Sequence, residues 1–163
     1  MDNHTPEQRH RNMQAVRSKD TGIELMLRQE LWKRGLHYRK YYDKIPGHPD
    51  LAFPKEKIAV FCDAEFWHGY DWENQKDQIQ TRREFWIPKI EYNLSHDAEI
   101  NAELTSMDWT VIRFWGKDIK HNLPRCTDIV ETVLWVKPAD RAAYLSGKTQ
   151  YCRFYIRGRN FTA

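Results

Sequence analysis

An α/β fold with a mixed central sheet flanked by helices is predicted by three observations. Amphipathic helical stretches alternate with short β-branched runs. The runs near residues 51–63 and 109–115 are apolar enough for strands covered on both faces. A chain of 163 residues with 40% hydrophobic content suits one core rather than two.

Taken in order, residues 1–20 are polar and basic with Met13 and Val16 scattered among them, and read as an arm or short helix held loosely to the body. Thr21-Gly22-Ile23-Glu24 matches a capping box. Ile23, Leu27 and Leu31 then recur at helical spacing and Gly35 supplies a stop, giving a helix over 21–34. HYRKYYDKIPGHPDLAF holds extended aromatic pieces and a Pro-Gly turn, KIAVFCDAEFW has buried-strand character, and the two are expected to pair as a hairpin. Residues 69–81 are polar without a period and read as a surface loop. A helix follows, with Phe85, Trp86, Ile90, Leu94, Asp97, Asn101 and Leu104 along one face and Pro88 tolerable only near its start or at a kink. Residues 109–115 (WTVIRFW) form a third, central strand. Residues 128–136 (DIVETVLWV) read as the last helix, and 151–157 (YCRFYIR) as an edge strand.

Several classes are excluded. No apolar run approaches the ~20 residues of a membrane span, and MDNHTPEQRHRNM lacks the apolar core of a signal peptide, so a cytoplasmic protein is expected. Cys62, Cys126 and Cys152 have no ligand-like spacing and read as buried thiols. The net charge of +3 is uninformative until it is mapped: residues 1–45 carry +4, 46–108 carry −7 and 109–163 carry +6. An acidic centre between basic flanks suits a cation-dependent enzyme acting on a polyanion, although solvated helices produce the same pattern.

The chemistry concentrates in two places. Pro49-Asp50 at the start of one strand is followed thirteen residues later by Asp63-Ala64-Glu65 at the end of the next, so a hairpin can bring the carboxylates together. Divalent metal held by such a cluster hydrolyses phosphodiesters; turn residues and solvent-facing acids are the plainer alternative. Phe66-Trp67-His68-Gly69 follows directly. A histidine there can orient or deprotonate a water, and flat aromatics can unstack a duplex, unless Phe66 and Trp67 are simply a core pair.

In order along residues 9–118, RNMQAVRSKDTGIE, IPGHPDLAF, VFCDAEFWHG, TRREFWIPKIEYN, His96-Asp97 and WTVIRFW together resemble the very short patch repair (Vsr) endonucleases, which nick DNA at thymine–guanine mismatches. The resemblance implies a restriction-endonuclease-like (PD-(D/E)XK) mixed sheet between helices. It also implies a nicking reaction on mismatched double-stranded DNA with Mg²⁺, two ions, as cofactor. By position, Asp50 and the Cys62 backbone carbonyl would hold metal, His68 would act on the water or the phosphate, and Glu24 would be a site acid, unless it is only half of the capping box. Asp97 would support His68, or be a helix-surface acid. Phe66, Trp67 and Trp86 would wedge into DNA, with one of Phe85 and Trp86 in the core. Arg9, Arg11, Arg17 and Lys19 on an embracing arm of residues 1–20, together with Arg82, would bind the duplex. Residues 21–163 would be the endonuclease domain, working as a monomer, with a mismatch-repair protein as a further partner.

The chain also departs from this family. Positions where relatives carry structural zinc ligands hold Glu65, Tyr70, Trp72 and Lys117, so no structural zinc is expected. Asp63 stands where better-known members have histidine and offers a second metal-binding carboxylate. Arg153, Tyr155, Arg157 and Arg159 either track a DNA backbone or solvate an edge strand. A restriction- or defence-type nuclease with another substrate is the nearest rival reading, and a DNA-binding module without catalysis the more distant one.

Overall fold

All six residues of β3 (Ile58–Asp63) are buried, and their alternation sorts the core into two layers. Ile58, Val60 and Cys62 pack on one side of the sheet, Ala59 and Phe61 on the other. The same alternation runs through β4 (Thr110–Trp115), where Ile112 and Phe114 join the first layer and Val111 the second. The computed structural model describes residues 4–157 and the backbone of residues 159–161. Its sheet has six strands in the order β1 (Arg39–Lys40), β2 (Leu51–Phe53), β3, β4, β5 (Arg153–Ile156) and β6 (Arg159–Phe161). Only β3 and β4 run parallel, Asp63 lying beside Trp115.

Helices cover both faces. α2 (Gly22–Lys33) buries Ile23, Leu27 and Leu31, one residue per turn, in the first layer. α5 (Gly116–His121), α6 (Leu123–Trp135) and α7 (Arg141–Ser146) complete that side with Ile119, Ile129 and Leu145. The second layer is closed by α4 (Arg83–Ser106) through Ile100 and Leu104. Pro88 is the sixth residue of α4, near its start, where it forgoes a single i→i−4 bond to the Glu84 carbonyl.

Several expectations are corrected. The polar stretch 69–81 contains α3 (Trp72–Gln75) and a 3₁₀ turn at Lys76–Gln78. The segment at 128–136 belongs to a longer helix and is not the last, since α7 follows. β5 is no edge strand: β6 pairs beyond it, and Phe154 is fully buried. The capping box also moves. Thr21 accepts no amide, and its hydroxyl donates to Glu24 Oε1 at 3.0 Å. A complete box forms instead on α1 (Pro6–Ala15), where Thr5 and Gln8 exchange side-chain and backbone bonds.

Gly47 sets the approach to Asp50. Its φ is +79°, and a Cβ there would run into Ile100 and meet Phe61 Cζ at 3.3 Å. Gly47→Ala is therefore expected to lower stability by about 2 kcal/mol or more, measured as a fall in the urea midpoint. An unchanged midpoint would show that the turn can slide away from α4.

Candidate active site

Six residues far apart in sequence line one cleft of about 740 Å³: Glu24 on α2, Asp50 just before β2, Cys62 and Asp63 ending β3, His68 in the following turn, and Asp97 on α4. The cleft opens at the carboxyl end of the parallel pair, where open α/β sheets put their ligands.

Asp50 Oδ2 accepts the Cys62 backbone N–H at 2.7 Å, and no hydrogen bond reaches Oδ1 among the described residues. Burial, joined by the Glu24 and Asp63 charges, lifts this carboxyl to about 7 despite that bond. The Cys62 thiol is pushed well above its ordinary value by burial and then by Asp50, Asp63 and Glu24. Two separate groups thus sense the same excess of negative charge at the end of β3, the field in which a hard divalent cation is stable. Glu24 is buried and bonded, its Oε2 accepting from the Asp20 amide at 3.0 Å and the Tyr41 hydroxyl at 2.7 Å.

Asp63 behaves in the opposite way. Sheet alternation turns it, with Arg113, toward the α4 layer, where both its oxygens accept from Arg113 Nη1 at 3.1 Å and Oδ2 accepts from Arg153 Nη2 at 2.6 Å. Burial alone would raise its carboxyl, but Arg113, His68 and Arg153 outweigh it and hold it at about 2. Asp63, which the sequence offers as a second metal-binding carboxylate, is thus engaged by two guanidiniums. Arg113 also donates to Asn101 Oδ1 at 2.8 Å, lies 3.5 Å from Asp97 Oδ1 and stacks over Phe61 at 4.1 Å.

His68 Nδ1 is 2.7 Å from Asp97 Oδ2 and 3.7 Å from Asp63 Oδ1. Burial works to lower its pKa, yet the Asp97 hydrogen bond and the two carboxylate charges raise it overall. Nε2 is the ring nitrogen left to act. Asn93 Nδ2 donates to the Trp67 carbonyl at 2.9 Å and fixes the preceding turn. Potential ligand atoms of Asp63, His68 and Asp97 lie within 4.8 Å of one another, a second arrangement able to hold a metal ion.

Beside His68 stands an aromatic cluster in which Trp86 meets Phe66, Trp67 and Phe85 edge to face, at centroid distances of 5.2, 5.4 and 4.9 Å. Phe66 is 47% and Phe85 46% exposed, and Trp86 is half-buried, so neither member of the Phe85/Trp86 pair is core. Arg82 lies over the Phe85 ring at 4.8 Å and Lys19 over Tyr41 at 5.1 Å. Arg17 lines the same cleft as Asp50 and His68, Arg9 lines a groove with Met13, Trp67 and Trp86, and Arg11 is exposed on α1.

Three of the four positions matched to zinc ligands, Glu65, Tyr70 and Lys117, form a clasp. Glu65 Oε1 accepts the Lys117 N–H at 2.5 Å, and Lys117 Nζ bonds the Tyr70 hydroxyl and lies over its ring. Tyr70 in turn packs edge-on against Trp115 at 5.2 Å.

Sequence reasoning gave no site role to Arg113, His48, His96 or Lys120, which also line the cleft, and did not foresee the bond from Arg153 to Asp63. Arg113 did leave a signal: an arginine inside the apolar run WTVIRFW must find a buried partner.

The family model described as DNA mismatch endonuclease Vsr matches residues 1–74. The type II nicking enzyme V.NmeDIP of Neisseria meningitidis serogroup C is 48% identical over 130 residues, covering 80% of this chain and 88% of that relative. V.HpaIIP of Haemophilus parainfluenzae, also a type II nicking enzyme, is 49% identical over 123 residues, 75% and 87% of the two chains. The DNA mismatch endonuclease Vsr of Escherichia coli K12 is 32% identical over 114 residues, 70% and 72%. Among the described residues no helix is long and apolar enough to cross a membrane.

Proposed function

Because the chain belongs to the Vsr family and is a DNA endonuclease of the nicking kind, we propose that it cuts one strand of duplex DNA at a T:G mismatch with Mg²⁺ as cofactor. The observation that carries this reading is Asp50 and the Asp97–His68 pair in one cleft, with exposed Phe66 two residues from His68. The hard oxygens of Asp50 and the Cys62 carbonyl suit Mg²⁺, and the surrounding carboxylate charge favours it. When bound, Mg²⁺ supplies Lewis-acid activation of water and neutralises charge on the phosphate. A cation on the Asp63–His68–Asp97 group would instead compete with Arg113 and Arg153 for one carboxylate, so Asp63 is read as bracing His68.

Asp97 fixes His68 through Nδ1, and the carboxylates around it favour the protonated imidazole. Such a ring donates a proton to a phosphate oxygen or to the departing oxygen and is a poor base. Phe66, Trp67 and Trp86 supply flat surfaces for an opened base step, and a mismatch is the cheapest step to open. α1, with no buried residue, is read as the arm closing over the duplex, and cutting one strand asks for one active site and hence a monomer.

Duplexes with and without a central T:G pair, incubated with Mg²⁺, test the reading. A single nick at the mismatch is expected; equal cutting of matched DNA would replace it with a restriction-type nickase. Asp97→Asn removes the carboxylate charge that helps raise His68, so the alkaline limb of the rate profile should move to lower pH, with about a ten- to hundredfold loss of rate. An unmoved limb would take His68 out of the proton-bearing role.

A further inference from the structure

On the side of α2 and α6, Trp32 at 58% exposure and Trp135 at 80% flank a groove of about 1090 Å³ that nicking leaves unexplained. Trp32 is held upright, edge-on to His37 at 4.7 Å and to Tyr38 at 6.0 Å, and Tyr38 and Leu134 anchor the floor to the core. Arg39, Lys40, Lys44 and Lys55 line the groove against only Asp43 and Glu56.

An extended peptide added to β1 is the natural rival occupant, since β1 ends the sheet. That edge, however, is two residues long with both side chains exposed and basic, the form in which proteins block strand addition. Exposed indole rings among cations instead match the chemistry of unpaired nucleotides: bases stack on the rings and phosphates pair with the lysines. The groove also adjoins the cleft. Tyr41 lines it, while the Tyr41 hydroxyl donates to cleft-lining Glu24 at 2.7 Å and its amide to the Asp50 carbonyl at 3.4 Å.

We propose that this groove binds single-stranded DNA, holding the unpaired end of the strand that the cleft has nicked. The inference rests on the nicking activity and not on the mismatch preference.

Binding of fluorescein-labelled dT₁₂ to the whole protein, followed by anisotropy and tryptophan quenching in EDTA, tests it. Trp135→Ala is expected to weaken dT₁₂ binding about tenfold, and Lys40→Glu with Lys44→Glu to flatten its salt dependence. Both should retain the wild-type melting temperature and nick intact duplex within about twofold of the wild-type rate. Unchanged dT₁₂ affinity in both variants would overturn the proposal, as would quenching by polyglutamate peptide but not by dT₁₂, which would mark a protein-docking groove. Duplex nicking is scored separately, so a failed mismatch preference leaves this result readable.

Discussion

Replacing Asp50 by asparagine is expected to abolish nicking and, at pH 8, to raise the melting temperature of the metal-free protein. The loss of activity follows from removing the charged oxygen offered to the cation and should reach a thousandfold or more. The gain in stability follows from linkage. The folded carboxyl titrates at about 7 against an ordinary 3.8, so the fold disfavours its ionised form. Its contribution is fully present below pH ~4 and is lost as pH rises through 7. Above that, the buried charge costs about 4 kcal/mol, worth roughly 10 °C in a domain of this size. Asparagine keeps an oxygen for the Cys62 amide without the charge. Mg²⁺ should correspondingly stabilise the wild type more at pH 8 than at pH 6 and leave Asp50→Asn unmoved. A variant that melts lower than wild type in EDTA would show that Asp50 is held by bonds worth more than its desolvation.

Asp63→Asn is expected to act in the reverse direction. Arg113 and Arg153 are cross-strand partners, side by side on β4 and β5, and Asp63, bonded to both, offsets their repulsion. Its carboxyl is held at about 2 against an ordinary 3.8, so its contribution is present above pH ~4 and disappears as pH falls toward 2. That difference corresponds to about 2 kcal/mol, and breaking a buried pair can cost about 3–5 kcal/mol. At pH 7 the melting temperature should fall by roughly 5–10 °C, while at pH 2 variant and wild type should converge. Adding Arg153→Met to Asp63→Asn should recover part of the loss, a coupling that a thermal double-mutant cycle measures. Simple additivity would mean that the three charges do not act as a unit.

The regular parts of the fold were legible because burial imposes a period. Ile23, Leu27 and Leu31 announce α2, and the runs 58–63 and 110–115 announce the parallel pair. The cluster of Asp50, Asp63 and His68 was legible because the hairpin between β2 and β3 is local. Charge pairing across long separations was not. Arg153 read as tracking a DNA backbone or solvating an edge strand, although it bonds a carboxylate 90 residues away. Nor does spacing distinguish two capping boxes: Thr21 lost its role because Asp20 and Tyr41 compete for Glu24, while Thr5 and Gln8 have no such competitors. α5 and α7, six residues each, are too short to show a helical stripe.

The span of that Asp63–Arg153 bond has a bearing on biosynthesis. A nuclease assembled while its chain is still emerging is a hazard to any DNA nearby. Here Glu24, Asp50, Asp63, His68 and Asp97 all precede the strand that supplies the second guanidinium, and long-range pairings of this kind form late. Until β5 docks, Asp63 has Arg113 alone and His68 leans on an incompletely neutralised neighbour. The Asp63–Arg153 pairing is therefore complete only when β5 docks, and a nascent chain carries Glu24, Asp50, Asp63, His68 and Asp97 before the second guanidinium can brace them.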